Sequence, residues 1–368
     1  MKSIAAAACG AMLIAAPALA DDMSMADLVA AAEAEGTVTV YSFTSRVFKV
    51  ESAFEEAYPN IDLVPFDISS TEQIARITAE LEAGIASADV AYLADAAIVV
   101  GALVEPGHLT GYVPPAFADR IPDNFEAPLM AHRLSTKVLM YNEEAHPDGP
   151  PVDNLWALTT DDWRGRVIMV DPSTRGDYLD LLTEIVLQSD AMAAAYEAQF
   201  GIPIELDDGI ANAGEQFVAD LMANDVVFVS STDDVNAAVG AIGQENPPIG
   251  FTSYSDRRDN EEEGWALQVA NDVAPAPGII YPAFLGILEN APNPNAAKLL
   301  ITFMMGDDSE TGGPALAPFY VAGDYLTRTD IPPHPDAIPL DGFNAWRIAP
   351  EATGAARQDV ADLVLSLQ

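Results

Sequence analysis

A chain of 368 residues that is 50% hydrophobic and only 20% charged has the apolar content for one large or two medium cores, which excludes an intrinsically disordered protein. Fifty-seven acidic residues face 16 basic ones, for a net charge of −41. A surface of that sign repels phosphate backbones and anionic lipid, so nucleic-acid binding is excluded as a function class.

Residues 1–20 read as a cleaved secretory signal. Lys2 opens it, a short apolar run follows from Ile4 to Ala16, and Ala18-Leu19-Ala20 supplies the small-x-small cleavage pattern. Its removal takes away one Lys and the only Cys, Cys9, leaving 15 basic residues against 57 acidic ones and no thiol for a disulfide or a cysteine-bound metal. The reading is an exported, soluble, periplasmic protein.

Strands and helices then alternate. Met25 to Glu35 is an Ala-rich helix ended by Gly36, and the β-branched Thr37 to Tyr41 is a buried strand. A helix over Val47 to Tyr58 precedes a strand over Ile61 to Phe66. Ser69 with Glu72, and Ser70 with Gln73, form capping boxes that open a helix ending near Gly84. Asp89 to Leu93 is a third strand, and this βαβαβ order implies a parallel sheet with helices on its faces. A second block carries strands at Lys137 to Tyr141, Val167 to Val170, Val226 to Val229 and Ile249 to Tyr254, with one long helix from Tyr178 to Gln199 and another from Ser231 to about Gly243. Gly278 to Leu288 reads as a strand returning to the first sheet, and Asn295 to Met305 as a helix.

No G-x-S-x-G, H-E-x-x-H, G-x-x-x-x-G-K, G-x-G-x-x-G or C-x-x-C occurs, and the four His share no ligand spacing. Four loops at strand C-termini instead share a hydroxyl-rich composition that opens a helix. They contain Ser42, Thr44 and Arg46; Ser70 and Thr71; Ser173, Thr174, Arg175 and Gly176; and Ser231 and Thr232. In open α/β sheets ligands bind beyond the carboxyl ends of the strands, and helix N-termini offer free N–H groups to an anion. Any one loop also fits a plain N-cap; four together point to a shared polar cleft. Tyr41, Tyr141 and Tyr254 each end a strand and Tyr178 opens a helix, so these phenols either face the cleft, where phenolate suits ferric iron, or simply pack. Asp95, just past the third strand, either lines the cleft or caps the next helix.

In order and spacing, Val38-Thr39-Val40-Tyr41-Ser42, Ala88-Asp89-Val90, Val138-Leu139-Met140-Tyr141-Asn142, Trp163-Arg164-Gly165-Arg166-Val167, Asp171-Pro172-Ser173, Pro248-Ile249-Gly250-Phe251 and Ala291-Pro292-Asn293-Pro294-Asn295 resemble the periplasmic solute-binding proteins of ABC importers, in the ferric-iron-binding branch. The resemblance implies a type II two-lobed α/β fold: each lobe a mostly parallel sheet flanked by helices, joined by crossing strands that act as a hinge near Ala131 to Val138 and Phe251 to Ala270. The expected division is signal 1–20, first lobe 21–132, second lobe 133–262, return to the first lobe at 263–310, and a C-terminal helical and loop segment at 311–368. It implies a non-catalytic protein with no cofactor, a monomer whose partners are a small-molecule ligand and a membrane permease.

The family's iron binders carry an adjacent tyrosine pair where this chain reads Ser230-Ser231-Thr232-Asp233-Asp234, and a His near the first-strand loop where this chain has Ser42. Tyr178 matches a ligand tyrosine of some members. These departures favour an anionic organic solute, held by Tyr41, Ser42, Thr44, Arg46, Ser70, Thr71, Asp95, Ser173, Thr174, Arg175, Gly176, Tyr178, Ser231, Thr232 and Tyr254, with ferric ion as the alternative transported ligand. An exported hydrolase and an acidic scaffold are the rival classes.

Overall fold

The computed structural model describes residues 23–368. The expected signal at 1–20 lies outside the described residues. Twelve strands form one sheet system: β1 (Thr37–Ser42), β2 (Asp62–Asp67), β3 (Val90–Leu93), β4 (Leu109–Thr110), β5 (Met130–Asn142), β6 (Val167–Val170), β7 (Val227–Val229), β8 (Ile249–Thr252), β9 (Leu267–Val269), β10 (Gly278–Leu288), β11 (Tyr325–Leu326) and β12 (Trp346–Arg347). Their order is β2-β1-β3-β10-β5-β8-β6-β7, with β4 and β12 on β10, and β9 and β11 on β5.

The pairing explains the two lobes. β2, β1 and β3 are mutually parallel, as are β8, β6 and β7, each built by helical crossovers. Between these two parallel blocks lie β5 and β10, antiparallel to each other from Val138–Gly278 to Met130–Leu285. β10 is also antiparallel to β3, and β5 to β8. The chain crosses between blocks on this central ribbon, so the return crossing is β10. That is the return strand read from sequence at Gly278 to Leu288, whereas the second hinge segment expected at Phe251 to Ala270 runs from β8 through two short helices to β9, which pairs with the end of β5.

β5 is longer than the strand expected at Lys137 to Tyr141. All 13 of its residues are buried, and the stretch before its apolar end carries His132, Arg133, Ser135, Thr136 and Lys137. Those polar side chains hide a central strand from a hydropathy reading. The helix expected over Tyr178 to Gln199 is two helices, Gly176–Leu187 and Ser189–Phe200. Gln188 leaves helical geometry at ψ 32°, and Ser189 Oγ accepts a hydrogen bond from Ala213 N at 3.3 Å, which ties the break to the start of the helix Ala213–Ala223.

The C-terminal helix Pro350–Leu367 packs on the helix Ala96–Val99, which follows β3, and on the helices Gly176–Leu187 and Ala213–Ala223 from the other block. Arg357 carries this bridge. Its Nε lies 2.9 Å from Asp180 Oδ1 and its Nη2 3.6 Å from Asp95 Oδ2. All three residues are buried. Among the described residues no helix is long and apolar enough to cross a membrane.

One guanidinium serves two buried carboxylates, with Asp177 and Glu184 nearby. Burial, opposed by Arg357 and reinforced by the neighbouring acids, lifts the Asp95 carboxyl to about 6 and the Asp180 carboxyl to about 8. Unfolded aspartates titrate near 4, so between about pH 4 and pH 8 the folded state holds more protons than the unfolded one. Stability from this cluster is therefore present at the acid end and lost as pH rises through the folded values. Asp180→Asn is expected to flatten that decline, gaining on the order of 1–2 kcal/mol relative to wild type between pH 5 and pH 8 in urea melts; an unchanged slope would dissociate the cluster from the pH response.

Candidate functional site

A cavity of about 240 Å³ opens where the two parallel blocks face each other over the central ribbon. Its floor is one face of that ribbon. Side chains alternate along a strand, so Arg133, Ser135 and Lys137 share a face of β5, and Tyr281, paired with Ser135, joins them from β10. The walls are Phe43 to Arg46 and Asp67 on one side, and Arg175, Asp177, Ser231 to Asp233, Ser253, Asp256 and Arg258 on the other.

Five cations line this cavity in a chain with only 16 Lys and Arg. Arg46 and Arg133 both pair with the buried Asp324. Lys137 Nζ lies 3.0 Å from Asp177 Oδ2, and Arg175 Nε lies 3.5 Å from Asp177 Oδ1. Arg258 Nη1 lies 2.8 Å from Asp256 Oδ1. Burial alone would strip Lys137 of its proton, but the adjacent Asp177 overrides it and holds the ammonium above the ordinary lysine value. Burial likewise pushes the Asp177 carboxyl up; Lys137 and Arg175 prevail and hold it well below the usual carboxylate range. Both groups are therefore charged at neutral pH.

Arg133 is wholly buried and held from several sides. Its Nε donates to Tyr92 Oη at 2.9 Å, and its guanidinium sits 5.4 Å from the Phe43 ring centroid and 5.3 Å from that of Phe319. Tyr92 Oη lies 2.8 Å from His132 Nδ1, and His132 Nε2 lies 2.9 Å from the carbonyl oxygen of Met304. That carbonyl can only accept, so His132 donates through Nε2 and receives the Tyr92 proton at Nδ1. Burial, helped by Arg133, depresses the His132 pKa to about 3, which keeps this imidazole neutral. With Nε and Nη1 engaged, Arg133 Nη2 has no hydrogen-bond partner among the described residues. An unmet buried donor on a residue that lines a polar cavity is a candidate partner for an anion.

Of the residues expected at the site, Thr44, Arg46, Arg175, Ser231 and Thr232 line the cavity. The others are placed elsewhere by their own hydrogen bonds. Tyr41 Oη donates to Glu80 at 3.0 Å, under the Arg76 guanidinium. Tyr178 Oη donates to the Phe251 carbonyl at 3.0 Å, and Tyr254 Oη to that of Asp336 at 3.2 Å. Ser42 Oγ donates to Thr44 O at 2.9 Å, and Ser70 Oγ accepts from Ala94 N at 2.9 Å. Thr71 Oγ1 donates to Asp95 Oδ2 at 3.1 Å, and Asp95 belongs to the Arg357 bridge. Ser173 and Thr174 are exposed on a turn around Asp171. Gly176 lies against Asp95 and Arg357, whose side-chain atoms would overlap any Cβ there.

Sequence reasoning missed Arg133, Ser135, Lys137, Asp177, Asp256, Arg258 and Tyr281. The one available signal was the period-two run Arg133-x-Ser135-x-Lys137 immediately before an apolar strand. Among the described residues Tyr281 is the one tyrosine that lines the cavity, and burial raises its phenol. Among the described residues no group of three or more His, Cys, Asp or Glu is arranged to hold a metal ion.

Residues 36–311 match the family model described as bacterial extracellular solute-binding protein. No curated protein sequence matches the chain. Among solved structures it is similar to iron-bound HitA from Pseudomonas aeruginosa, at 18% identity and TM-score 0.68, covering 90% of this chain and 99% of that one. It is similar to the periplasmic binding protein AfuA from Actinobacillus pleuropneumoniae with fructose-6-phosphate bound, at 20% identity and TM-score 0.64, covering 90% and 97%. It is also similar to apo ferric ion-binding protein A from Pasteurella haemolytica, at 16% identity and TM-score 0.64, covering 90% and 98%. At these identities the likeness establishes the shared two-lobed fold.

The hydrogen bond from Tyr178 to Phe251 gives a direct test of its role. Tyr178→Phe is expected to lower folding stability by about 1–3 kcal/mol, because the buried carbonyl loses its donor from that side chain. Chemical denaturation of the ligand-free protein measures this, and an unchanged midpoint would remove the bond from the account.

Proposed function

The chain belongs to the bacterial extracellular solute-binding proteins, binding components of ABC importers that act outside the cytoplasmic membrane and catalyse no reaction, and from that membership we propose that its solute is a small organic anion. The observation that carries this reading is the buried Arg133, with Nη2 unpartnered, in a cavity that draws five cations from a strongly acidic chain. An anion bound there forms charge-assisted hydrogen bonds in a site largely withdrawn from water. Closure of the two walls over the central ribbon adds contacts from both lobes and commits the solute for delivery to the permease.

The ferric reading has its own support, in the similarity to iron-bound HitA and to the ferric ion-binding protein A of Pasteurella haemolytica. A ferric ion asks for several hard anionic oxygens at one point. Here one phenol, that of Tyr281, shares the floor with a guanidinium and an ammonium group, and Tyr41, Tyr178 and Tyr254 are committed to other partners. That chemistry favours the anion.

Thermal melts separate the two readings, since a ligand that binds only the folded state raises the melting temperature. The protein is expected to be colourless and to respond to organic anions, with ferric citrate shifting the melt no more than citrate alone. Arg175→Ala is expected to weaken the anion by about 1.5–3 kcal/mol in calorimetry. A rust-coloured preparation that a strong chelator bleaches would establish the ferric ion instead.

A further inference from the structure

Among the described residues, two that line the cavity each keep a buried side-chain atom without a hydrogen bond, and the two atoms are of opposite kind. Arg133 Nη2 is a donor that lacks an acceptor. Asp177 Oδ1 is an acceptor that lacks a donor: Arg175 Nε lies 3.5 Å away, an ionic contact without hydrogen-bond geometry. The other oxygen, Oδ2, is occupied by Lys137 Nζ at 3.0 Å and by Tyr281 Oη at 3.5 Å. Buried polar atoms are nearly always hydrogen-bonded, so two exceptions on the lining of one cavity point to a common partner.

An anionic oxygen meets the need of Arg133 but can only accept, so it leaves Asp177 Oδ1 unmet. That oxygen requires an O–H or N–H on the same solute. The neighbouring cations decide which. Lys137 and Arg175 both lie against Asp177 and hold it ionised, so an ammonium group brought to Oδ1 meets two like charges, whereas a neutral hydroxyl meets none. A hydroxyl also accepts. This suits the Thr44 and Ser253 hydroxyls on the lining, which accept from Arg46 and Lys137 and donate to no group among the described residues. Arg133 and Lys137 are four residues apart on one face of β5, about 13 Å between their Cα atoms, so the two needs arise toward opposite ends of the floor. We propose that the transported solute is a short hydroxylated anion, its charged group on Arg133 Nη2 and a hydroxyl at its far end donating to Asp177 Oδ1. The cavity of about 240 Å³ suits such a length; benzene fits in about 150 Å³. This inference rests on the anion reading above and narrows it to one ligand class.

The test titrates the whole mature protein with three- to six-carbon carboxylates and phosphate monoesters. Each is made in four forms, with hydrogen, hydroxyl, methoxy or amino at the carbon farthest from the charge. The hydroxyl form of the best set is expected to bind about tenfold tighter than the hydrogen form, the size of a hydrogen bond to a charged group. The methoxy form, which accepts but does not donate, and the amino form are expected to show no gain. Asp177→Asn is expected to cut the hydroxyl gain severalfold; if that variant does not fold, the methoxy comparison decides alone. Hydroxyl and hydrogen forms of equal affinity overturn the proposal while the anion reading stands. A methoxy or amino form that matches the hydroxyl, or a full gain in folded Asp177→Asn, overturns the assignment to Asp177. A protein that binds no member of any set sinks the anion reading and this inference with it.

Discussion

Placing Arg133 and Lys137 inside the central antiparallel ribbon of a sheet removes two full charges from water, at several kcal/mol per ion before compensation. The fold compensates twice in the same way, with one carboxylate shared between two cations. Asp324 serves Arg46 and Arg133, and Asp177 serves Lys137 and Arg175. Each trio keeps one positive charge in excess, so the floor stays electropositive without holding a bare buried ion. Replacing any one carboxylate would strand two cations, which makes these acids as much a condition of the fold as of the site.

The same ribbon organises function through its two faces. Alternation sends Arg133, Ser135, Lys137 and Tyr281 toward the cleft, while Leu134, Ile280 and Pro282 line an apolar cavity on the opposite side. The aromatic rings of Phe43, Tyr92 and Phe319 stand around Arg133 and fix the plane of its guanidinium. A preorganised cation loses little freedom when a ligand arrives, so more of the interaction appears as affinity.

The helical crossovers and most strands were legible because their signals are local. Thr37 to Tyr41 is β-branched, Ser69 and Ser231 sit at helix starts and accept the expected backbone hydrogen bonds, and Gly278 to Leu288 is an unbroken apolar strand. The hydroxyl-rich loops pointed to the correct end of the sheet, and Thr44, Arg46, Arg175, Ser231 and Thr232 came from them. The floor was not legible, because a central strand that reads HRLSTK looks like a surface segment until its neighbours are known. The tyrosines misled for the converse reason. A phenol at a strand end has many potential partners, and Glu80, Phe251 and Asp336 become neighbours only after folding.

Asp324 and Arg357 both lie beyond residue 311, where the match to the family model ends. One supplies the counter-charge for the binding floor, and the other ties the two parallel blocks together. Neither group is therefore supplied by the segments that name the family. The counter-charge beneath Arg133 and the clasp between the two halves come from residues that follow those segments, so a change outside the matched region reaches the cleft directly.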